Sequence, residues 1–286
     1  MLVPSWLLEN PFRVLRLSAS ATLADAHEAA SAMSQMVELN TLAPAESDIP
    51  SLRPLTRTET SIQAALERIE TPSQRLFDRL FWFHQATLEE ITPAGVKPAN
   101  KVPGLSAQRT VVRHDDALRA FLRLYESDRV ASDLLAWVEA FHAWHAILTS
   151  PEYWELSEAL EKAGSFKPRA SEEEFEAVRQ SAMLRAAEPL LSAVEQALSD
   201  DDDDTLKAIL RVVDSLTDTG DWVHVVRATI LEPLTASVKR ACSENLQMFL
   251  RKISRNDESV EANIQPCNDL LQHYRQVVQP SLARLQ

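Results

Sequence analysis

His142 and His145 are the histidines in this sequence whose spacing could bind a metal ion. They lie in the segment LLAWVEAFHAWHAIL, with Glu139 and Glu152 nearby. Histidines three positions apart share one face of a helix, and helical bundles hold metals with histidines and carboxylates together. Aromatic residues surround both histidines, however, and no HExxH motif supports a ligand set. The spacing therefore favours packing residues with a polar edge, and a ligand- or metal-binding bundle is kept as an alternative.

A second group that could do chemistry is His114, Asp115 and Asp116, in the segment VVRHDDALRAFLRLYES. Without a nucleophile at a matching spacing, they do not predict a catalytic set. Acidic residues near the beginning of a helix interact favourably with its dipole and cap its free N–H groups. We therefore interpret the three residues as the start of a helix.

The aspartates at 200–204 could suggest a divalent ion, but a calcium loop needs spaced ligands and a glycine turn. A solvated loop that caps a helix beginning near Thr205 explains them better. Glycine-rich phosphate loops, GxSxG elbows and cysteine–histidine pairs are absent from the sequence. We predict no catalytic residues, no cofactor-binding residues and no metal ligands, and hence a protein that is not an enzyme.

Composition predicts an all-α fold. Among 286 residues only 4 are glycine, whereas alanine, leucine and glutamate are abundant, and these three lose little on entering a helix. Hydrophobic residues make up 45% and charged residues 25%, which is typical of globular proteins. The net charge of −13 argues against nucleic acid as a partner, because a polyanion is repelled where no basic stripe exists.

Cysteine use and the apolar pattern predict a cytoplasmic protein. Cys242 and Cys267 have no CxxC or other metal-type spacing, so free thiols in a reducing compartment are expected. The opening segment MLVPSWLLENPF lacks the basic and apolar regions of a signal peptide. Uninterrupted apolar runs stay well below the roughly 18 residues of a membrane span. We expect no membrane partner.

Local signals predict four helices in the first third of the chain. Asn10 and Pro11 have the residue types of a helix cap and first turn, and Thr22 is expected to cap a longer helix that ends near Leu39. Three prolines then predict a loop, after which Thr58 or Thr60 starts a third helix. Pro72 stops that helix, and a fourth begins at Ser73. The fourth helix leads into an aromatic cluster of Phe77, Phe81, Trp82 and Phe83.

The chain divides into four predicted parts. Residues 1–9 are an N-terminal lead, and 10–91 form a small helical module. Residues 92–109 contain three prolines and two of the four glycines, which is typical of a linker. Residues 110–286 are predicted to form a helical C-terminal domain, either a multi-helix bundle or helical hairpins. Its segments recur with apolar residues at spacings of three and four.

The first module resembles the J-domain of DnaJ-type co-chaperones over NPFRVLRLSASATLADA, 10–26, and IQAALERIETPSQRLFDRL, 62–80. The stretch from the first of these segments to the end of the second, residues 10–80, covers about a quarter of the chain. With its FWFH extension and later helical region, the chain is also similar to a bacterial family of J-like proteins with a helical C-terminal half. The resemblance implies that the second and third helices pack antiparallel, and that the aromatic cluster docks the module onto later parts of the chain. The matching residues are Phe12, Leu15, Leu17, Ala19, Ala21, Leu23, Ala65, Leu66, Ile69, Thr71, Pro72, Arg75, Phe77 and Asp78.

Two departures from the J-domain pattern bear on function. The His-Pro-Asp motif that triggers ATP hydrolysis by a DnaK-type chaperone is missing, and the loop reads APAESDIPSLRP instead. The family's second helix is basic and meets an acidic chaperone surface, whereas residues 17–52 here contain no lysine or arginine. Like charge opposes such docking. The module is therefore expected to be a degenerate J-like module.

The leading hypothesis is a non-enzymatic adaptor or scaffold with a protein partner in a chaperone-related assembly. That partner could be a DnaK-type chaperone or a complex associated with it. One alternative is an active co-chaperone that stimulates a DnaK-type ATPase through a non-standard surface. The other is the ligand- or metal-binding bundle built around His142 and His145. The oligomeric state is left open by the sequence.

Overall fold

The computed structural model describes residues 3–41, 52, 55–84, 105–125, 133–200, 202–216, 222, 224–230, 236, 240 and 272. Over these residues the regular structure is helical throughout, with no strands, which confirms the all-α prediction. The helices are α1 (Ser5–Leu8), α2 (Pro11–Val14), α3 (Leu23–Glu38), α4 (Glu59–Glu70), α5 (Pro72–Leu80), α6 (Leu105–Arg123), α7 (Leu134–Leu148), α8 (Pro151–Ala163), α9 (Glu172–Ser199) and α10 (Asp203–Ser215).

The helix starts in the first module follow the predicted caps. The Asn10 side chain accepts a hydrogen bond from the N–H of Phe12, with Pro11 in the first turn of α2. Thr22 begins α3 with a reciprocal capping box, in which the Asp25 side chain accepts from the backbone N–H of Thr22. Thr58 caps α4 in the same way with Ser61. Each cap satisfies N–H groups that the first helical turn leaves unpaired.

Removing the cap of α3 should weaken the fold measurably. Thr22→Ala deletes the oxygen that accepts from the Asp25 N–H at 3.2 Å, and it leaves that donor without its intramolecular partner. We expect a loss of about 1 kcal/mol in the free energy of unfolding. Urea denaturation followed by circular dichroism measures this loss. Ser31→Ala, at an exposed position inside the same helix, is the control and should change stability by less than about 0.5 kcal/mol. Equal effects of the two substitutions would contradict the capping role.

Helices α3 and α4 pack together and run antiparallel. Ser34, late in α3, donates to Glu59 at the start of α4 at 3.0 Å. His27, early in α3, lies 3.2 Å from Glu70 at the end of α4. The buried faces of the pair interlock through small and branched residues, so the two backbones approach closely. The buried side chains are Ala26, Ala30 and Met33 of α3 and Ile62, Ala65 and Ile69 of α4.

Helix α5 begins directly after α4, and its aromatic cluster contacts three other helices. Phe81 lies 4.6 Å from Trp6 of α1, 5.3 Å from Trp144 of α7 and 6.2 Å from Phe121 of α6, measured between ring centres. The prediction that these aromatics dock the module onto later parts of the chain is confirmed for Phe81. The N-terminal lead takes part in this packing through Trp6, which also lies 5.6 Å from Phe77.

Helix α6 starts at Leu105, inside the segment that was predicted as a linker. That prediction is wrong for residues 105–109, because the prolines and glycines end at Gly104 and nothing after it opposes a helix. Backbone contacts group Met1–Asp128 and Leu135–Ala186 into one compact unit. This first unit therefore includes helices α6 and α8 together with helices α1 to α5.

The second unit comprises Arg129–Leu134 and Ala187–Gln286. Its helix α10 buries a face of residues spaced by three and four, and residues 224–230 are also helical. Outside the described residues lie positions 42–51, 53 and 54 of the predicted loop over 40–56, positions 92–104 of the predicted linker, both cysteines and most of the predicted helices beyond 221. Among the helices that the structure describes, none is both long enough and apolar enough to cross a membrane. The buried face of α10 comprises Leu206, Ile209, Val212, Val213 and Leu216.

Candidate functional site

The centre of the first unit is a buried ionic triad made of Arg75, Arg79 and Glu161. Arg75 donates to both carboxylate oxygens of Glu161, from Nε at 2.8 Å and from Nη2 at 2.6 Å. Arg79 donates from Nη1 to Oε1 at 2.7 Å. All three side chains are at most 3% exposed. Two positive charges therefore share one negative charge away from water, and α5 is joined to α8.

Backbone carbonyls also accept hydrogen bonds from the two guanidinium groups. Arg75 donates from Nη1 to the carbonyls of Ile69 and Glu70, at the C-terminal end of α4. Arg79 donates from Nε to the carbonyl of Ala19 at 2.7 Å. Carbonyls at a helix C-terminus carry partial negative charge, so they stabilise a nearby cation. These bonds lie within the first module, and they hold in place the two guanidinium groups that reach Glu161.

The segment after α8 closes the triad with an aromatic ring. Phe166 is buried, and its ring centre lies 4.1 Å from the Arg75 guanidinium carbon and 5.3 Å from that of Arg79. Cations are attracted to the face of such a ring. A Cβ added at Gly164 would come within 2.2 Å of the Phe166 ring, so glycine is required where the ring packs.

The charge states follow from burial and pairing. Burial alone would raise the pKa of Glu161, but the hydrogen bonds from Arg75 and the charge of Arg79 outweigh it and lower the pKa below its usual range. Burial lowers the pKa of Arg79, and Glu161 opposes that shift. The triad is therefore an ionised cluster in which removing the carboxylate would leave two cations facing each other.

A second buried pair, His114 and Asp115, lies in the middle of α6. Both side chains are fully buried, and Nδ1 of His114 lies 3.0 Å from Oδ1 of Asp115. The interpretation of these residues as a helix start is wrong, since α6 begins at Leu105, nine positions earlier. Of the residues His114, Asp115 and Asp116, only Asp116 is exposed, and it forms a salt bridge with Arg119. The buried pair holds α6 against the end of α5.

The hydrogen bonds of His114 assign its protonation state. Its Nε2 lies 2.7 Å from the carbonyl oxygen of Leu80, and its Nδ1 faces the Asp115 carboxylate. Burial would raise the pKa of Asp115, but the hydrogen bond and charge of His114 lower it to about 2, so Asp115 is ionised. Both partners can only accept hydrogen bonds. His114 therefore carries a hydrogen on each ring nitrogen, and the pair is a buried ion pair.

His84 connects this pair to the loop before α3. Its backbone N–H donates to Asp115 Oδ1 at 2.9 Å, and its Nδ1 lies 2.9 Å from the hydroxyl of Ser20. Its ring is edge-on to that of His114 at 4.8 Å. Burial, with the neighbouring charge of His114, lowers the pKa of His84 to about 3. His84 is therefore neutral in the folded protein at neutral pH.

His84 should make folding sensitive to acid. The unfolded chain binds a proton at His84 below its ordinary pKa of 6.5, whereas the folded chain does not until about 3. Stability from this residue is therefore lost as the pH falls below 6.5. His84→Asn keeps a side-chain partner for Ser20 and removes the titration. As the pH is lowered from about 6 to about 4, we expect the difference between the unfolding free energies, wild type minus variant, to decrease by about 1.4 kcal/mol per pH unit.

The comparison between the two proteins removes the contribution of Asp78, which titrates in the opposite sense. Burial raises the pKa of Asp78 to about 7 despite the pairing of its carboxylate with Arg68. The folded chain then binds this proton before the unfolded chain does, so stability from Asp78 falls as the pH rises from about 4 to about 7. Urea denaturation of both proteins over this range measures the difference. A difference that is independent of pH would contradict a buried neutral His84.

The two histidines with metal-type spacing do not face a common ligand set. His142 is exposed on α7, whereas His145 is partly buried between Trp144 and Ile147, which are both buried. In the part of the chain that the structure describes, no three histidine, cysteine, aspartate or glutamate side chains come together as metal ligands. The aspartate run caps α10 as predicted, because Asp202 accepts from the N–H of Thr205 at 3.0 Å.

Sequence reasoning missed the buried polar residues, although one signal pointed to His114 and Asp115. The apolar stripe predicted for α6 contains Leu118 and Phe121, and its extension by three and four positions towards the N-terminus reaches residues 114 and 115. Val111, one turn earlier, is buried against Leu156 and Leu160 of α8. A polar pair on the buried face of a helix predicts a partnered pair in the core.

Comparisons of the chain with protein-family models, curated proteins and solved structures find no match.

Proposed function

We propose that this chain is a non-enzymatic adaptor or scaffold that acts in a chaperone-related protein assembly through a degenerate J-like module. The antiparallel α3–α4 pair with α5 following directly is the observation that carries the proposal. It is the arrangement that the resemblance to the J-domain implies. The partner is a protein, and it binds without the trigger motif of the family.

The charge of α3 supports an adaptor rather than an active co-chaperone. Glu28 and Glu38 lie at exposed positions of this helix, and no lysine or arginine lies between residues 17 and 52. An acidic surface repels the acidic docking surface that the basic helix of a J-domain meets. The partner therefore contacts α3 with a surface of its own that is not acidic.

The burial of the histidine and acidic side chains in the first unit's polar network supports a non-enzymatic role. His84, His114, Asp115 and Glu161 are all buried, and each makes hydrogen bonds within the first unit. General acid–base catalysis needs a group within hydrogen-bonding reach of a substrate. Side chains that are committed to holding helices together do not meet that need.

Purification of the full tagged chain from its native cytoplasm, followed by size exclusion and cross-linking, tests the adaptor role. We expect a stoichiometric protein partner whose cross-links map to exposed residues of α3 and α4. Glu28→Lys together with Glu38→Lys should weaken that complex, whereas Glu172→Lys with Glu173→Lys, on exposed positions of α9, should leave it intact. A chain that elutes alone, or a complex unaffected by the α3 changes, would contradict the proposal.

A further inference from the structure

Several buried side-chain polar atoms of the first unit lack a hydrogen-bond partner among the described residues, and three of them lie in one neighbourhood of the core. These three are Nη2 of Arg79, Nε2 of His84 and the hydroxyl of Tyr153. Each side chain is at most 1% exposed. They come from three places in the chain, namely α5, the segment after it and α8. The lack of a partner therefore does not arise from one local irregularity of the backbone.

The three side chains act on one another. The ring of Tyr153 lies edge-on to that of His84, with their centres 6.1 Å apart, and it stacks on His114 at 4.9 Å. Burial raises the pKa of Tyr153, and the charge of Arg79 opposes this shift. Arg79 donates to the carbonyl of Ala19 at 2.7 Å, and His84 lies 2.9 Å from the hydroxyl of the next residue, Ser20. The unpaired atoms therefore belong to one neighbourhood of the core.

Such atoms are rare in folded proteins. A buried N–H or O–H that loses its hydration without gaining a partner destabilises the fold, and nearly all such groups are paired with protein or with ordered water. Buried water commonly makes about three hydrogen bonds to otherwise unpaired groups. Arg79 can only donate, a hydroxyl can donate and accept, and His84 does either according to its tautomer.

The charges around Arg79, His84 and Tyr153 favour binding of a neutral molecule. Arg79 and His114 place positive charge in this neighbourhood, whereas the Asp115 carboxylate acts on Tyr153 and His84 with the opposite sign. An anion would be repelled by Asp115, and a cation by Arg79. A small dipolar molecule that both donates and accepts satisfies all three atoms.

We propose that Arg79, His84 and Tyr153 form a binding site for ordered internal water between α5 and α8. The water accepts from Arg79 and completes the hydrogen bonds of His84 and Tyr153. It thus extends the polar network that joins the J-like segment to the later helices. This inference does not depend on the proposed function.

A high-resolution crystal structure of the full chain, with a second crystal soaked in bromide, tests the site. We expect a water peak within hydrogen-bonding distance of Arg79 Nη2 and of the Tyr153 hydroxyl, with no anomalous bromide signal there. Direct pairing of the three atoms with protein groups would overturn the proposal. An anomalous bromide peak would also overturn it, because the site would then bind an anion.

Tyr153→Phe provides a test in solution. The substitution removes one hydroxyl and keeps the ring that stacks on His114. Oxygen-17 relaxation dispersion counts water molecules that stay bound longer than the protein takes to tumble. We expect the variant to lose signal equivalent to at least one such water. An unchanged signal in a variant that circular dichroism shows to be folded would overturn the proposal.

Discussion

Glu161→Gln should lower the free energy of unfolding by about 3–5 kcal/mol, which is the usual cost of breaking a buried ion pair from one side. The amide keeps the shape of the carboxylate but removes the negative charge that Arg75 and Arg79 share. Its NH₂ group also faces a guanidinium that can only donate. Both arginines would then be buried cations without a counter-charge. Urea denaturation of the variant and wild type at neutral pH measures the loss.

Glu158→Gln is the matched control, since Glu158 lies one turn earlier on the same helix. It pairs with Lys162 at 3.7 Å, and both side chains are more than half exposed. Such an exposed pair contributes roughly 0.3–0.5 kcal/mol. If the two glutamine variants had similar stability, the triad would not be the link between α5 and α8.

Asp115→Asn should destabilise the fold by about 3 kcal/mol. The asparagine oxygen can still accept from the His84 N–H, but the charge that stabilises the protonated His114 is lost. His114 then either stays a buried cation without its counter-ion or releases a hydrogen. In the second case it loses the bond to the Leu80 carbonyl or the bond to residue 115. Thermal and urea unfolding followed by tryptophan fluorescence measure the loss.

Asp116→Asn is the control for Asp115→Asn, because it removes an exposed carboxylate from the same helix. Asp116 is the next residue, is 62% exposed and pairs with Arg119 at 3.0 Å. Its substitution should change stability by less than about 0.5 kcal/mol. Nitrogen-15 NMR of wild type should show both ring nitrogens of His114 protonated at neutral pH. A neutral His114, or equal effects of the two asparagine variants, would contradict the buried ion pair.

The helices of the first module could be predicted because their signals are local. The caps at Asn10, Thr22 and Thr58 bond to N–H groups only two or three residues away, so residue type and spacing are enough. Pro72 likewise separates α4 from α5 by its own geometry. The antiparallel pairing of α3 and α4 came from the resemblance to the J-domain.

The buried polar network could not be predicted because its partners are distant in the chain. Arg75 and Glu161 are 86 positions apart, and nothing near either residue specifies the other. Charged residues are usually exposed, so composition favours a solvated interpretation. The beginning of α6 was misplaced for a different reason, since the predicted linker extends over residues 105–109, beyond its last proline and glycine.

Buried ion pairs bind α5 to α8 within the first unit, and α3 is acidic, whereas the family that the first module resembles has a basic docking helix. The most direct test of a module without co-chaperone activity is single-turnover ATP hydrolysis by a DnaK-type chaperone with and without the full chain. An authentic J-domain co-chaperone is the positive control. We predict that this chain leaves the hydrolysis rate unchanged while the control accelerates it. A several-fold acceleration by this chain would contradict the adaptor role and favour an active co-chaperone that uses a non-standard surface.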